Sequence, residues 1–143
     1  MSERLTILEA LESDWALTGI KKVWKYLPKL TDIPKSSFPC IHVAFGNETK
    51  MMNAEDTRIY EVPIFLIVFF NSATDVKNEG LLRDEAEDWI YKYKILNETN
   101  LTNLTAIEEV VSLEYITGTP YLNIEAENTG FLILEHKLTY MGA

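Results

Sequence analysis

At 143 residues, with 47% hydrophobic and 24% charged residues, the chain suits one globular domain, which argues against intrinsic disorder. A formal net charge of -9 argues against a general attraction to nucleic acid, and a lone cysteine, Cys40, rules out an internal disulfide.

In chain order, Ser2 is placed to cap a first helix, whose apolar residues Leu5, Leu8, Leu11 and Trp15 recur at helical spacing. Gly19 is the expected stop. Ile20, Val23, Trp24 and Leu27 fit a helical stripe or an extended segment equally, and Pro28 ends it. Pro34, Ser36, Ser37 and Pro39 make a loop. Ile41, Val43 and Phe45 then alternate with Cys40, His42 and Ala44, as in a half-buried strand. Residues Asn47 to Asp56 are mostly polar and read as a long hairpin loop.

A strand follows from Arg58 to about Phe70, and it is apolar at every position from Val62 on. Successive strand side chains point to opposite faces, so this run needs cover on both. Pro63 lacks a ladder donor and marks an edge or a bulge. Asn78 is placed to cap the second helix, with Leu82, Ala86, Trp89, Tyr93 and Leu96 on its apolar face and an Asp88–Lys92 pair on the other. Asn97 to Thr105 reads as a polar loop. Val111, Leu113 and Tyr115 begin a strand that Gly118-Thr119-Pro120 breaks. In the last strand Leu132, Leu134, His136, Leu138 and Tyr140 share one face.

The expected fold is one α+β domain over residues 1–143: a mainly antiparallel four-stranded sheet with two helices packed on one face. Two helices cover one side only, so a partner subunit is expected on the other face of the apolar strand. Its candidate interface residues are Ile64, Leu66, Ile67, Val68 and Phe69. Loops held on a rigid sheet commonly bind, so Asn47, Glu48, Lys50, Met51, Met52, Glu55 and Asp56 form a candidate docking element.

Charge is unevenly spread. Lys21, Lys22, Lys25, Lys29 and Lys35 cluster early, and seven glutamates from Glu98 to Glu135 face only Lys137 late in the chain. That asymmetry suits contact between the basic segment of one copy and the acidic region of another.

Catalytic signatures are missing from the sequence. It has no HExxH, CxxC, GxSxG, P-loop or GxGxxG pattern, and His42 and His136 have no second ligand at a usable spacing. The carboxylates Asp84, Glu85, Glu87 and Asp88 lie beside Arg83 and Lys92, as on a solvated helix face. The expectation is a protein that is not an enzyme and takes no cofactor or metal. The four Asn-x-Thr triplets at Asn47, Asn97, Asn100 and Asn103 read as turn-forming polar residues. Met1-Ser2-Glu3-Arg4 carries no signal-peptide pattern, and Val62 to Phe70 is too short for a membrane helix, so synthesis in the cytoplasm is expected.

Several segments together resemble a family: Leu5 to Leu11, Phe38 to Glu48, Tyr60 to Phe70, the acidic helix with Trp89, and the closing Lys137-Leu138-Thr139-Tyr140. Their order is similar to that of the tail terminator (tail completion) proteins of long-tailed bacteriophages, the lambda-like group. The resemblance implies a virion protein that forms a hexameric ring on the end of the tail tube, stops its polymerisation and offers a joining surface to the head or neck. The implied partners are further copies of itself, the tail tube protein and a head/neck connector protein, with no membrane. DNA would pass through the lumen without specific binding, kept from sticking by acidic walls. Two other readings fit the same residues: another connector or assembly protein of the tail neck, and a small non-enzymatic adaptor domain with an apolar pocket.

Overall fold

The computed structural model describes residues 3–54, 57–71, 79–99, 101–123 and 129–142. The first helix, α1 (Glu3–Asp14), buries Ile7 and Leu11 and delivers Trp15 to the core just past its end. Ser2, its expected cap, lies outside the described residues, as does Asn78 before the second helix. Gly19 does not end α1. It serves the turn that follows, at a φ of 99°. A Cβ there would touch nothing within 4 Å, so the backbone conformation alone calls for glycine.

The remaining elements are β1 (Lys22–Trp24), β2 (Cys40–Phe45), β3 (Thr49–Ala54), β4 (Thr57–Asn71), α2 (Glu79–Thr99), the short α3 (Thr102–Thr105), β5 (Val110–Asn123) and β6 (Thr129–Gly142). The strands form a six-stranded sheet in the order β1-β2-β4-β6-β5, with β3 also paired to β4. β1 and β2 run parallel, and the other pairs are antiparallel. The α+β class and the two long helices stand, while the expected four-stranded antiparallel sheet is corrected to a six-stranded mixed one.

β4 sorts its apolar run between two layers. Val62, Ile64, Leu66, Val68 and Phe70 are fully buried in the cluster that also holds Ile7 and Leu11 of α1 and Leu82, Ala86, Trp89 and Tyr93 of α2. Each large aliphatic buried there stabilises the fold by about 1.5–3 kcal/mol. On the opposite face Ile67 and Phe69 pack with Trp24, Ile33, Phe38 and Cys40. The cover on that side is therefore the chain's own segment between β1 and β2, which contains two 3₁₀ turns, Leu30–Asp32 and Lys35–Ser37. This corrects the expectation of a partner subunit there. The candidate interface residues Ile64, Leu66, Ile67, Val68 and Phe69 belong to the core, with Ile67 the most exposed of them at 8%. Toward the start of β4 that face opens out, with Pro63 and Phe65 half-buried beside Lys137 and Glu135 of β6.

Pro63 sits inside the sheet, at neither an edge nor a bulge. β3 pairs with β4 up to Glu61, and β2 pairs from Ile64 onward, so Pro63 lies at the break between them. Its carbonyl accepts the Gly46 N–H at 2.7 Å on that flank. The missing proline donor faces the same flank, opposite Gly46, and the β2 ladder stops one pair earlier at Phe45 and Ile64. Gly46 has to be small here, because a Cβ would approach Pro63 to 3.1 Å and Phe65 to 3.2 Å.

Gly118-Thr119-Pro120 does not break β5, which runs through it opposite Leu134, Ile133 and Leu132. β5 lies at the sheet edge, where a proline without a donor is tolerated. Among the described residues, no helix is long and apolar enough to cross a membrane.

Candidate assembly surfaces

The expected docking loop is mostly a strand. Thr49 to Ala54 form β3 and pair with β4, with a register shift between Lys50 and Met52. The hairpin presents Lys50 and Met51 to solvent, Met51 at 58% exposure. Asn47 and Glu48 precede it and are exposed, although Glu48 also accepts a hydrogen bond from the Tyr140 hydroxyl. That bond fixes the base of the hairpin to β6, where Tyr140 stacks on Tyr60 at 5.5 Å. Met52 falls in the same strand, and Glu55 and Asp56 lie outside the described residues.

The two edges of the sheet differ in chemistry. Among the described residues, no strand pairs with the outer edge of β5. Two register shifts, between Val110 and Ser112 and between Tyr115 and Thr117, make Val111 and Ile116 extra residues. Both are exposed, at 56% and 47%, and Tyr121 follows at 46%. Glu108, Glu109 and Glu114 surround this strand in solvent. Glu114 lies 3.5 Å from Lys137, and Lys94 approaches the Tyr115 ring at 5.2 Å.

The β1 edge is basic and aromatic. Lys22 Nζ stands 3.7 Å from the centre of a Trp24 ring, and Tyr26 meets Trp24 edge-on at 5.5 Å. Tyr26 and Leu27 are 65% and 61% exposed. Lys21, Lys25, Lys29 and Lys35 extend the positive surface. Lys25 spends part of its charge on Glu12 of α1, at 2.9 Å.

Beneath these surfaces a polar junction ties the helices to the sheet. The Trp15 indole N–H donates to Asn97 Oδ1 at 2.9 Å, and Asn97 Nδ2 lies 3.0 Å from His136 Nε2. With its oxygen committed to Trp15, Asn97 donates through nitrogen, which makes His136 a neutral acceptor at Nε2. Tyr93 donates to the Trp15 carbonyl at 2.7 Å. Asp14, at the end of α1, accepts the N–H groups of Asn103 at 3.1 Å and Leu104 at 2.8 Å. It thus caps α3 from across the chain. Of the expected polar loop over Asn97 to Thr105, residues 97–99 are the last turn of α2 and Thr102–Thr105 are this capped helix, while Asn100 lies outside the described residues.

The two histidines lie on opposite faces of the sheet. His42 pairs in register with Ile67, and its Nδ1 is 2.8 Å from the Trp24 carbonyl under the covering segment. His136 pairs with Ile64 on the helix face. Among the described residues, no group of three or more His, Cys, Asp or Glu side chains could hold a metal ion. A shallow groove of about 370 Å³ runs along the outside of α2, lined by Leu17, Tyr91, Ile95 and Leu96 among others. The expected Asp88–Lys92 pair forms at 2.9 Å, but both partners are about half exposed, so it adds little stability.

Burial pushes His136 down to about 4. Between pH 6.5 and 4 the unfolded chain binds a proton at this position that the folded chain refuses. Stability should therefore fall as pH drops through that window, by about 3 kcal/mol from His136 alone. Urea unfolding at stepped pH checks this: His136→Gln should flatten the slope between pH 6.5 and 4, leaving the carboxylate contribution below it.

No protein-family model matches the chain, and neither does any curated protein. Among solved structures, a chain in the virion of a native gene transfer agent particle is similar to it, with a TM-score of 0.47 and 11% sequence identity. The alignment covers 99% of this chain and 96% of that one. Likeness at this level carries no conclusion about role.

Proposed function

We propose that the protein is a non-enzymatic structural component of a phage virion, one that assembles into a ring on the end of a tail tube. The ring ends tube growth and offers a joining surface to a head/neck connector, with DNA passing through its lumen without specific binding. The resemblance noted in the sequence names this role and its hexameric form. One observation supports self-assembly independently: among the described residues the long edge strand β5 pairs on one side only, and it exposes Val111, Ile116 and Tyr121. Bulges and charge blunt this edge against backbone pairing, so its exposed apolar side chains are what it offers a partner. The β3–β4 hairpin, with Lys50 and Met51 at its surface, is the proposed contact with the tube or neck.

Negative-stain imaging with isolated tail tubes of a phage from the same source tests the reading. A cap of uniform size at one tube end only, absent without the protein, is the expected result. Tubes that stay bare, or are decorated along their sides, would reject it.

A further inference from the structure

The charge asymmetry of the sequence acquires a geometry in the fold. β1 and β5 are the first and last strands of the sheet path, so their outer edges face away from each other. One edge carries Lys22, with Lys21, Tyr26 and Leu27 exposed beside it. The other carries Val111, Ile116 and Tyr121 among Glu108, Glu109 and Glu114. Each is an apolar strip flanked by charge, and the charges are opposite in sign.

We propose that the β5 edge of one copy docks against the Lys22–Leu27 edge of the next. This rests on the self-assembling role proposed above and names its contact surface. The occupant is a second copy because that copy already carries the complement: a basic rim for the glutamates and exposed Tyr26 and Leu27 for the apolar side chains. Two β5 edges, or two β1 edges, would set like charges against each other. The contact is therefore heterologous: every copy offers one edge forward and one back, and the chain of contacts closes into a ring if the rotation per step permits. The two bulges shape its character. They interrupt the outer ladder of β5 and turn Val111 and Ile116 outward, so side-chain packing and charge carry the contact more than a continuous backbone ladder does.

Zero-length carbodiimide cross-linking of the intact chain at low salt, with the joined peptides mapped by mass spectrometry, reads the contact directly. Links from Lys21 or Lys22 to Glu108, Glu109 or Glu114 are expected. They must join different molecules, because these edges lie at opposite ends of one sheet. Charge reversal then provides the decisive arm. Lys21→Glu/Lys22→Glu makes both edges acidic, since Lys25 beside them is paired with Glu12, and Glu108→Lys/Glu109→Lys makes both basic. In sedimentation velocity each variant alone should associate at least about tenfold more weakly than the unaltered chain, and an equimolar mixture should associate again by alternation. Raising the salt should weaken all of these contacts.

Variants that associate as the unaltered chain does would overturn the edge contact, as would a mixture that stays dispersed, or cross-links confined to other surfaces. So would an unaltered chain that remains monomeric and unlinked throughout. The tube-end reading fails separately. Tube caps whose subunits are linked elsewhere reject the edge contact alone, and edge-linked assemblies that ignore tube ends reject the tail-cap role alone.

Discussion

Ile67→Asp should unfold the protein outright, and Val68→Asp should do the same. The two side chains sit on opposite faces of β4, yet both are buried: Val68 beneath the helices, Ile67 beneath Trp24, Ile33 and Phe38. An aspartate at either site loses its water without gaining a partner, a penalty of several kcal/mol, with the lost apolar packing added to it. Against a total stability of about 5–15 kcal/mol, each change should leave little folded protein at room temperature. Urea unfolding followed by tryptophan fluorescence and far-ultraviolet circular dichroism measures this. Thr119→Asp, exposed on β5 and in register with Ile133, is the control and should shift stability by no more than about 0.5 kcal/mol. If Ile67→Asp folded with normal stability and lost only its assembly, the segment between β1 and β2 would not be the true cover of that face.

That contrast marks what the sequence can reveal. β4 announced its own double burial, because nine consecutive apolar residues in a strand have no other stable setting. The apolar face of α2 was equally plain: Leu82, Ala86, Trp89 and Tyr93 are all buried. What covers the second face was not legible. Trp24, Leu30, Ile33 and Phe38 are spaced irregularly among prolines, in neither a helical nor an alternating rhythm. They act as separate plugs on a wandering segment, so periodicity cannot find them.

The missed strands have similar causes. The register shift in β3 between Lys50 and Met52 breaks the two-residue period by which a strand is recognised. β1 is three residues long and is held by parallel pairing to β2 across the irregular segment between them. The cap of α3 comes from Asp14, some ninety residues earlier, so local sequence shows only a polar stretch. As for assembly, the charge asymmetry was visible in the sequence. Its division between opposite edges depends on strand order, which only the fold supplies.

The junction at Trp15 gives the second large effect. Trp15→Ala should destabilise the protein by about 3–5 kcal/mol. The indole is fully buried, lies 4.8 Å from the His136 ring, and supplies the donor that Asn97 Oδ1 accepts. Removing it opens a cavity where α1, α2 and β6 meet, and leaves the Asn97 oxygen without its partner. Trp15→Phe separates the two losses. It keeps much of the aromatic packing but deletes the N–H, so its cost should be smaller, about 1–3 kcal/mol. A double-mutant cycle of Trp15→Phe with Asn97→Ala should show a coupling of about 0.5–3 kcal/mol. A coupling near zero would mean that the hydrogen bond contributes little and that packing alone holds the junction. Either way, α1 and α2 are anchored at the same point on the sheet, so loosening Trp15 should free both helices together. In hydrogen exchange, protection of α1 and α2 should then fall in step, ahead of the central pairing between β4 and β6.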